Sequence, residues 1–167
     1  MPLSASTHLP ASVQRVTEVF NDEAFIRHIS ESVGGTLESF ELTGDLAGAF
    51  STRVLRTLPT DRLPDLAKTM IGSSLKVTQT EEWAAPAADG SREVQITLNV
   101  GGVPLKVTAV QHVRADGDGT ELSLEGSVNS SIPFLGPKIA AAAEPMVGKA
   151  LNLQASAAED WMANHPS

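Results

Sequence analysis

The sequence contains no cysteine and no tyrosine, and aromatic residues make up only 4% of its 167 residues. The absence of cysteine excludes disulfides, thiol nucleophiles and cysteine-ligated zinc, and it favours a reducing compartment. No apolar run reaches the roughly 18 residues of a membrane-spanning helix, and the first residues carry neither basic side chains nor an apolar run. We therefore expect a cytoplasmic protein with no secretory signal and no membrane span.

Basic residues are also scarce. Lysine and arginine number 12 against 20 aspartates and glutamates, which gives a formal net charge of −8 at pH 7. A surface of this sign repels phosphate backbones, so we expect no nucleic-acid partner. The composition, with 41% hydrophobic and 19% charged residues, is typical of a folded protein, and 167 residues suit one domain.

The first part of the chain predicts a strand followed by two short helices. Residues 3–9 have the pattern of a strand, and residues 13–20 repeat apolar side chains at helical spacing. Asp22 is a suitable N-cap for a second amphipathic helix, in which Phe25, Ile26, Ile29 and Val33 repeat at helical spacing. Gly34 and Gly35 supply its stop.

From residue 36 onward the apolar residues alternate with polar ones, which predicts six further strands joined mainly by hairpin turns. Gly101 and Gly102 predict a two-residue turn, residues 116–119 predict another turn, and residues 60–72 predict one or two irregular helical turns. These turns place the apolar side chains on one face through five cross-strand pairs: Leu98 with Leu105, Ile96 with Val107, Val94 with Ala109, Val113 with Leu122, and Gln111 with Leu124.

After Pro137 a helical pattern continues nearly to Asn164. A sheet with one apolar face needs a cover, and no other predicted element is long enough to lie across it. We therefore expect this C-terminal helix to cover the sheet. Its predicted buried stripe consists of Ile139, Ala143, Met146, Ala150, Leu153, Ala157 and Trp161.

This order of elements resembles the helix-grip superfamily, which includes START lipid-transfer domains, the Bet v 1 group, polyketide cyclases and coenzyme-Q-binding proteins. The resemblance is carried by LPASVQRVTEVFNDEAFIRHI, by the meander about LNVGGVPLKV and by SIPFLGPKIAAAAEPMVGKALN. Within the superfamily, the chain is most similar to an uncharacterised bacterial domain-of-unknown-function family. The resemblance implies an α+β fold in which residues 1–167 form one helix-grip domain. It has a curved antiparallel sheet of about seven strands and two short helices after the first strand, and the long C-terminal helix encloses a cavity for a hydrophobic small molecule.

Four polar residues share the phase of the apolar face: Arg56, Gln79, Glu81 and Gln111. A charged side chain on the buried face must be paired with another polar group or must have a functional role. In the functional interpretation, Arg56 binds an anionic or carbonyl head group of a ligand, and the side-chain amides of Gln79 and Gln111 orient that group. In the alternative, these positions lie near strand ends and open to solvent, or Arg56 and Glu81 form an ion pair.

The candidate ligand-binding residues are those expected to face the cavity. They are Phe50, Val54, Arg56, Val77, Gln79, Glu81, Trp83, Ile96, Leu98, Val107, Gln111, Leu124, Met146, Ala150 and Leu153. The four histidines do not stand at metal-binding spacings, and we expect neither a metal nor a cofactor. No catalytic residue is assigned.

The leading hypothesis is binding or transport of a lipid-like or polycyclic molecule without catalysis, because alanines on the helix opposite a sheet of larger residues leave space. A tightly packed core without a ligand is the simplest alternative. An acid-base enzyme resembling the cyclases would use Glu81 as base and Arg56 to stabilise an oxyanion. A protein-interaction module would need an apolar outer sheet face, whereas the predicted outer residues are polar. The sequence leaves the ligand and the oligomeric state open.

Overall fold

The computed structural model describes residues 2–60, 74–101, 105–130 and 135–165. Within these ranges the chain forms seven strands and three helices. In chain order they are β1 (Pro2–Leu9), α1 (Val13–Phe20), α2 (Glu23–Ser32), β2 (Thr36–Gly44), β3 (Phe50–Pro59), β4 (Ser74–Trp83), β5 (Arg92–Val100), β6 (Leu105–Asp116), β7 (Gly119–Ser130) and α3 (Leu135–Asn164). No helix in these ranges has both the length and the apolar character needed to cross a membrane.

All seven strands belong to one curved antiparallel sheet with the order β1-β7-β6-β5-β4-β3-β2. Helix α3 packs on β1 and β7 and contacts α1 and α2, so the helices lie on one side of the sheet. The predicted architecture is confirmed: seven strands, two short helices after the first strand, and a long C-terminal helix against the sheet.

The two short helices begin at the capping residues expected from the sequence. The Ser12 side chain accepts a 3.1 Å hydrogen bond from the backbone N–H of Arg15, and Asp22 accepts a 2.9 Å bond from that of Ala24. Gly34 follows α2 with a φ of 81°, a conformation that glycine adopts without strain. The caps fix where α1 and α2 turn their apolar faces towards the sheet.

The hairpin between β6 and β7 has the predicted register, with Val113 opposite Leu122. The hairpin between β5 and β6 does not. Leu98 pairs with Val107 and Ile96 with Ala109, so each partner lies two residues further along β6 than predicted. The third predicted pair shows the same shift, because Val94 lies opposite Gln111 rather than Ala109. The predicted pairs of Leu98 with Leu105, Ile96 with Val107 and Val94 with Ala109 are therefore wrong.

Gly101 directly follows β5, and its contact with β4 continues the pairing of these two strands by one residue beyond Val100. Its backbone N–H donates a 2.8 Å hydrogen bond to the carbonyl of Lys76 on β4. A displacement of two residues keeps every side chain on its predicted face, so the apolar face is unaffected. Gly102 lies outside the described residues, as do the irregular turns predicted for 60–72, apart from Thr60.

The buried face of α3 differs from the predicted stripe. Leu151, Ala155 and Ala158 are buried, whereas Leu153 is 41% exposed. Because successive helical residues are separated by about 100°, Leu151 and Leu153 point to nearly opposite sides and cannot both face the sheet. The prediction that Leu153 is buried is therefore wrong. The Met146 side chain lies outside the described part of the chain.

Candidate functional site: a cavity beneath the C-terminal helix

A cavity of about 290 Å³ lies between the inner face of the sheet and the helices. Side chains from β3 to β7 form one wall, and residues from α1, α2, α3 and the α1–α2 junction form the other. Its lining residues are Phe20, Asn21, Phe25, Ile26, Ile29, Thr52, Val54, Arg56, Gln79, Glu81, Ile96, Leu98, Val107, Ala109, Gln111, Leu124, Gly126, Ala150, Leu151 and Gln154. Most of these side chains are apolar, as is usual for sites that bind small molecules.

The space has a simple origin in the cross-strand pairing. One row of paired inward positions across five strands consists of Thr52, Glu81, Ile96, Ala109 and Gly126. Three of these five residues are small, so this row does not fill the distance between sheet and helix. At Gly126 an added Cβ would lie 2.7 Å from the Thr108 carbonyl oxygen and 2.9 Å from the Ala109 Cβ. Gly126 is therefore required by the close approach of the neighbouring strand.

A row of larger residues lies two positions further along the strands, beside the cavity. Phe50 and Trp83 are paired across β3 and β4, and their rings stack with centroids 5.2 Å apart. Val94 continues this row and is fully buried. On the helical side, Phe20 and Phe25 stack with centroids 6.2 Å apart. The cavity therefore adjoins a packed core instead of running through the whole molecule.

Ten of the residues predicted to face a ligand line this cavity. They are Val54, Arg56, Gln79, Glu81, Ile96, Leu98, Val107, Gln111, Leu124 and Ala150. Three others, Phe50, Val77 and Trp83, are buried beside it and do not line it. Leu153 is on the outer side of α3, and for Met146 the side chain is not described.

The sequence interpretation placed Ala150 at the cavity but missed the rest of the helical wall. Phe25, Ile26 and Ile29 on α2 line the cavity, and so do Leu151 and Gln154 on α3. Their helical spacing identified α2 as amphipathic, but that signal does not distinguish a side chain beside a cavity from one in a packed core.

The two charged residues of the cavity, Arg56 and Glu81, are connected through Gln79 on β3 and β4, whereas the polar lining residues Asn21, Gln111 and Gln154 lie elsewhere. Arg56 Nη1 lies 3.5 Å from Gln79 Oε1, the Gln79 amide nitrogen donates to Glu81 Oε2, and Trp83 Nε1 donates a 2.8 Å bond to Glu81 Oε1. Since a guanidinium only donates and a carboxylate only accepts, the Gln79 carboxamide has one orientation that serves both neighbours. The direct ion pair between Arg56 and Glu81 that the sequence allowed does not form, because Gln79 stands between them.

Burial sets the electrostatics of this group. Loss of water raises the pKa of Glu81 above the ordinary value, although the hydrogen bonds from Trp83 and Gln79 and the charge of Arg56 oppose that rise. Burial likewise lowers the pKa of Arg56, and the charge of Glu81 opposes this shift. The cavity therefore holds a guanidinium and a carboxyl group whose charged forms are both disfavoured by burial.

Solved structures with the same arrangement support the assignment of the fold. An aromatase/cyclase from Streptomyces sp. R1128 aligns with a TM-score of 0.60 at 12% identity, over 100% of this chain and 96% of the other. A STAR-related lipid transfer protein from Xanthomonas axonopodis aligns with a TM-score of 0.57 at 16% identity, over 92% and 82%. Norcoclaurine synthase from Thalictrum flavum aligns with a TM-score of 0.54 at 17% identity, over 100% and 96%.

These alignments show that the chain has the helix-grip fold. Identities this low carry no information about activity. Comparison with curated proteins finds none that matches the sequence. A family model, however, matches residues 4–162, and the chain therefore belongs to the family described as Protein of unknown function (DUF2505).

Proposed function

We propose that this protein binds a hydrophobic small molecule in the cavity beneath α3, as a carrier or a binding protein rather than an enzyme. The observation that carries the proposal is the cavity itself. Its volume of about 290 Å³ is near the lower end of the range of roughly 300–1,000 Å³ found for small-molecule sites. Its lining is mainly aliphatic and aromatic, and its charged groups lie on β3 and β4.

Two further observations support this proposal. Ala150 lines the cavity and is also exposed, so the cavity reaches the surface beside α3. In addition, one protein with the same fold is named as a lipid transfer protein. A lipid-like or polycyclic molecule of modest size is the ligand class that suits these walls.

Native mass spectrometry of protein purified without denaturation tests the proposal. We expect a mass excess that disappears under denaturing conditions, together with a lipophilic compound in the organic extract. Ala109→Leu should fill the row of small residues and abolish uptake of the neutral fluorescent probe N-phenyl-1-naphthylamine. Ala115→Leu is the matched control, because Ala115 lies on the same face of β6 but is exposed. Equal probe uptake by wild type and Ala109→Leu would contradict the proposal.

A second candidate function is acid-base catalysis on a bound carbonyl compound. One observation favours it: Glu81 and Arg56 line the same cavity, so both can reach one substrate. The carboxylate already accepts two hydrogen bonds, which is why binding without catalysis is our first choice.

Exchange of the α-protons of 2-tetralone in D₂O, followed by NMR, separates the two candidates. Binding alone predicts exchange at the rate without protein. Catalysis predicts faster exchange that Glu81→Gln abolishes while probe uptake is retained.

A further inference from the structure

The guanidinium of Arg56 has an unusual set of contacts for a group inside a protein. Within the described part of the chain, its Nε is buried and has no hydrogen-bond partner. The contact of Nη1 with Gln79 is long, at 3.5 Å. A buried donor without an acceptor is costly, and native structures usually satisfy such groups.

Arg92 shows how the same chain satisfies a buried guanidinium. Its nitrogens donate to three backbone carbonyls, those of Leu46, Gly48 at 2.9 Å and Ala84 at 3.3 Å. It also lies over the ring of Phe50, 5.4 Å from the centroid. Arg92 is held by the protein itself, whereas Arg56 has donors directed towards a cavity.

The position of the Arg56 contact indicates which edge a ligand would use. Gln79 engages Nη1, and Nε lies on a different edge of the planar guanidinium, the edge that it shares with Nη2. Two parallel N–H donors on one edge match the two oxygens of a carboxylate. A ligand carboxylate on this edge would satisfy Nε without displacing Gln79, after a small movement of the Arg56 side chain uncovers that buried atom.

The charged residues near Arg56 affect how a ligand carboxylate can bind. Among the described residues that line the cavity, Arg56 on β3 and Glu81 on β4 are the charged ones, while the lining residues of β5, β6, β7 and the helices are neutral. A ligand carboxylate and an ionised Glu81 would place two negative charges near one guanidinium in an apolar space. Like charges at short range are relieved when one of the carboxyl groups takes up a proton.

We propose that the hydrophobic ligand of this cavity is a carboxylic acid, bound as the carboxylate on the Nε edge of Arg56, and that Glu81 takes up one proton from solvent when it binds. This inference rests on the proposed binding function and names its ligand class. The apolar part of the molecule would lie along Ile96, Leu98 and Val107.

Competition against N-phenyl-1-naphthylamine with decanoate, methyl decanoate and decan-1-ol tests the ligand class. We expect decanoate to bind about 10- to 100-fold more tightly than the ester or the alcohol, the range expected for hydrogen bonds to a charged group. Arg56→Gln should remove this preference, so that the variant binds decanoate no more tightly than it binds decan-1-ol. Arg56→Lys, which keeps the charge but loses the paired donors, should lose most of the preference. Arg53→Gln is the control, since Arg53 is exposed on the same strand.

The proton is measured independently, by calorimetric titration of decanoate in two buffers with different ionisation enthalpies. We expect net proton uptake in wild type and none in Glu81→Gln. Equal affinity for the acid and the alcohol, full preference retained by Arg56→Lys, or no proton uptake would each overturn the inference while leaving the binding function intact. If none of the three compounds displaces the probe, the proposed function itself fails.

Discussion

Trp83 donates a hydrogen bond from its indole nitrogen to the carboxylate of Glu81, two residues earlier on the same strand. Side chains two positions apart on a strand share a face, so the pair is a local consequence of β4 being extended there. The ring of Trp83 stacks on Phe50 at the same time. The packed end of the molecule therefore holds the carboxylate that faces the cavity.

Removing this donor should raise the pKa of Glu81 further. Trp83→Phe keeps an aromatic ring beside Phe50 but has no N–H to stabilise the ionised carboxylate. We expect the Glu81 titration, followed by carbon NMR of the side-chain carboxyl, to move to higher pH. Trp161→Phe is the control, because Trp161 contacts Phe25, His28 and His165 instead. An unchanged Glu81 midpoint in Trp83→Phe would contradict the role of the hydrogen bond.

The raised pKa of Glu81 also predicts how stability depends on pH. The folded state binds the Glu81 proton more tightly than the unfolded state, so folding is favoured below the unfolded-state pKa. This contribution is lost as the pH rises through the folded-state value. We expect the free energy of unfolding of Glu81→Gln, relative to wild type, to increase from about pH 4.5 upward. Urea denaturation across this range measures it, and a constant difference would refute the prediction.

Two leucines on α3 provide a matched test of which helix face is buried. Leu151 is 4% exposed and Leu153 is 41% exposed. Leu151→Ala should lower the free energy of unfolding by about 2–5 kcal/mol, because it removes buried methylene and methyl groups. Leu153→Ala should change it by less than about 0.5 kcal/mol. Chemical denaturation decides, and the reverse ranking would place the buried face where the sequence pattern put it.

A large substitution at Ala150 should show whether the space beside this residue is an open cavity or a filled core. In a full core, Ala150→Trp would overpack and cost about 1–3 kcal/mol. Beside a cavity that reaches the surface, the new ring can occupy the space. We expect a melting temperature near that of wild type together with loss of N-phenyl-1-naphthylamine uptake. Asn152→Trp, on the exposed side of the helix, should melt and take up the probe as wild type does. Strong destabilisation, or unchanged uptake by Ala150→Trp, would contradict a cavity beside Ala150.

The strands were more predictable than the long helix, for a physical reason. Alternation has a period of two, so Arg56, Gln79 and Glu81 are placed on the inner face by counting from their neighbours. The two-residue shift between β5 and β6 left this intact. In α3, alanines occur on several sides of the helix, so the apolar pattern suits more than one face. Only packing against β1 and β7 selects Leu151 over Leu153.

The position of Gln79 between Arg56 and Glu81 could not be read from spacing. Alternation puts all three residues on one face, but whether the charges meet depends on side-chain conformations and on the space around them. The helical wall of the cavity could not be predicted for the same reason. The sequence indicates that α2 is amphipathic, and the three-dimensional packing determines that Phe25 and Ile29 border a space.

The pairing of β1 with β7 has a consequence for how the chain acquires its structure. Leu9 lies opposite Thr120, and Pro2 lies opposite Ser127. Strand β1 therefore pairs with a strand more than a hundred residues later in the sequence. Contacts this distant in sequence slow folding, because a long loop must close before they contribute. The meander from β2 to β7 can form from neighbouring hairpins, but β1 and the helix packed on it must wait. During synthesis, the part of the inner face that α3 covers stays exposed until α3 has left the ribosome.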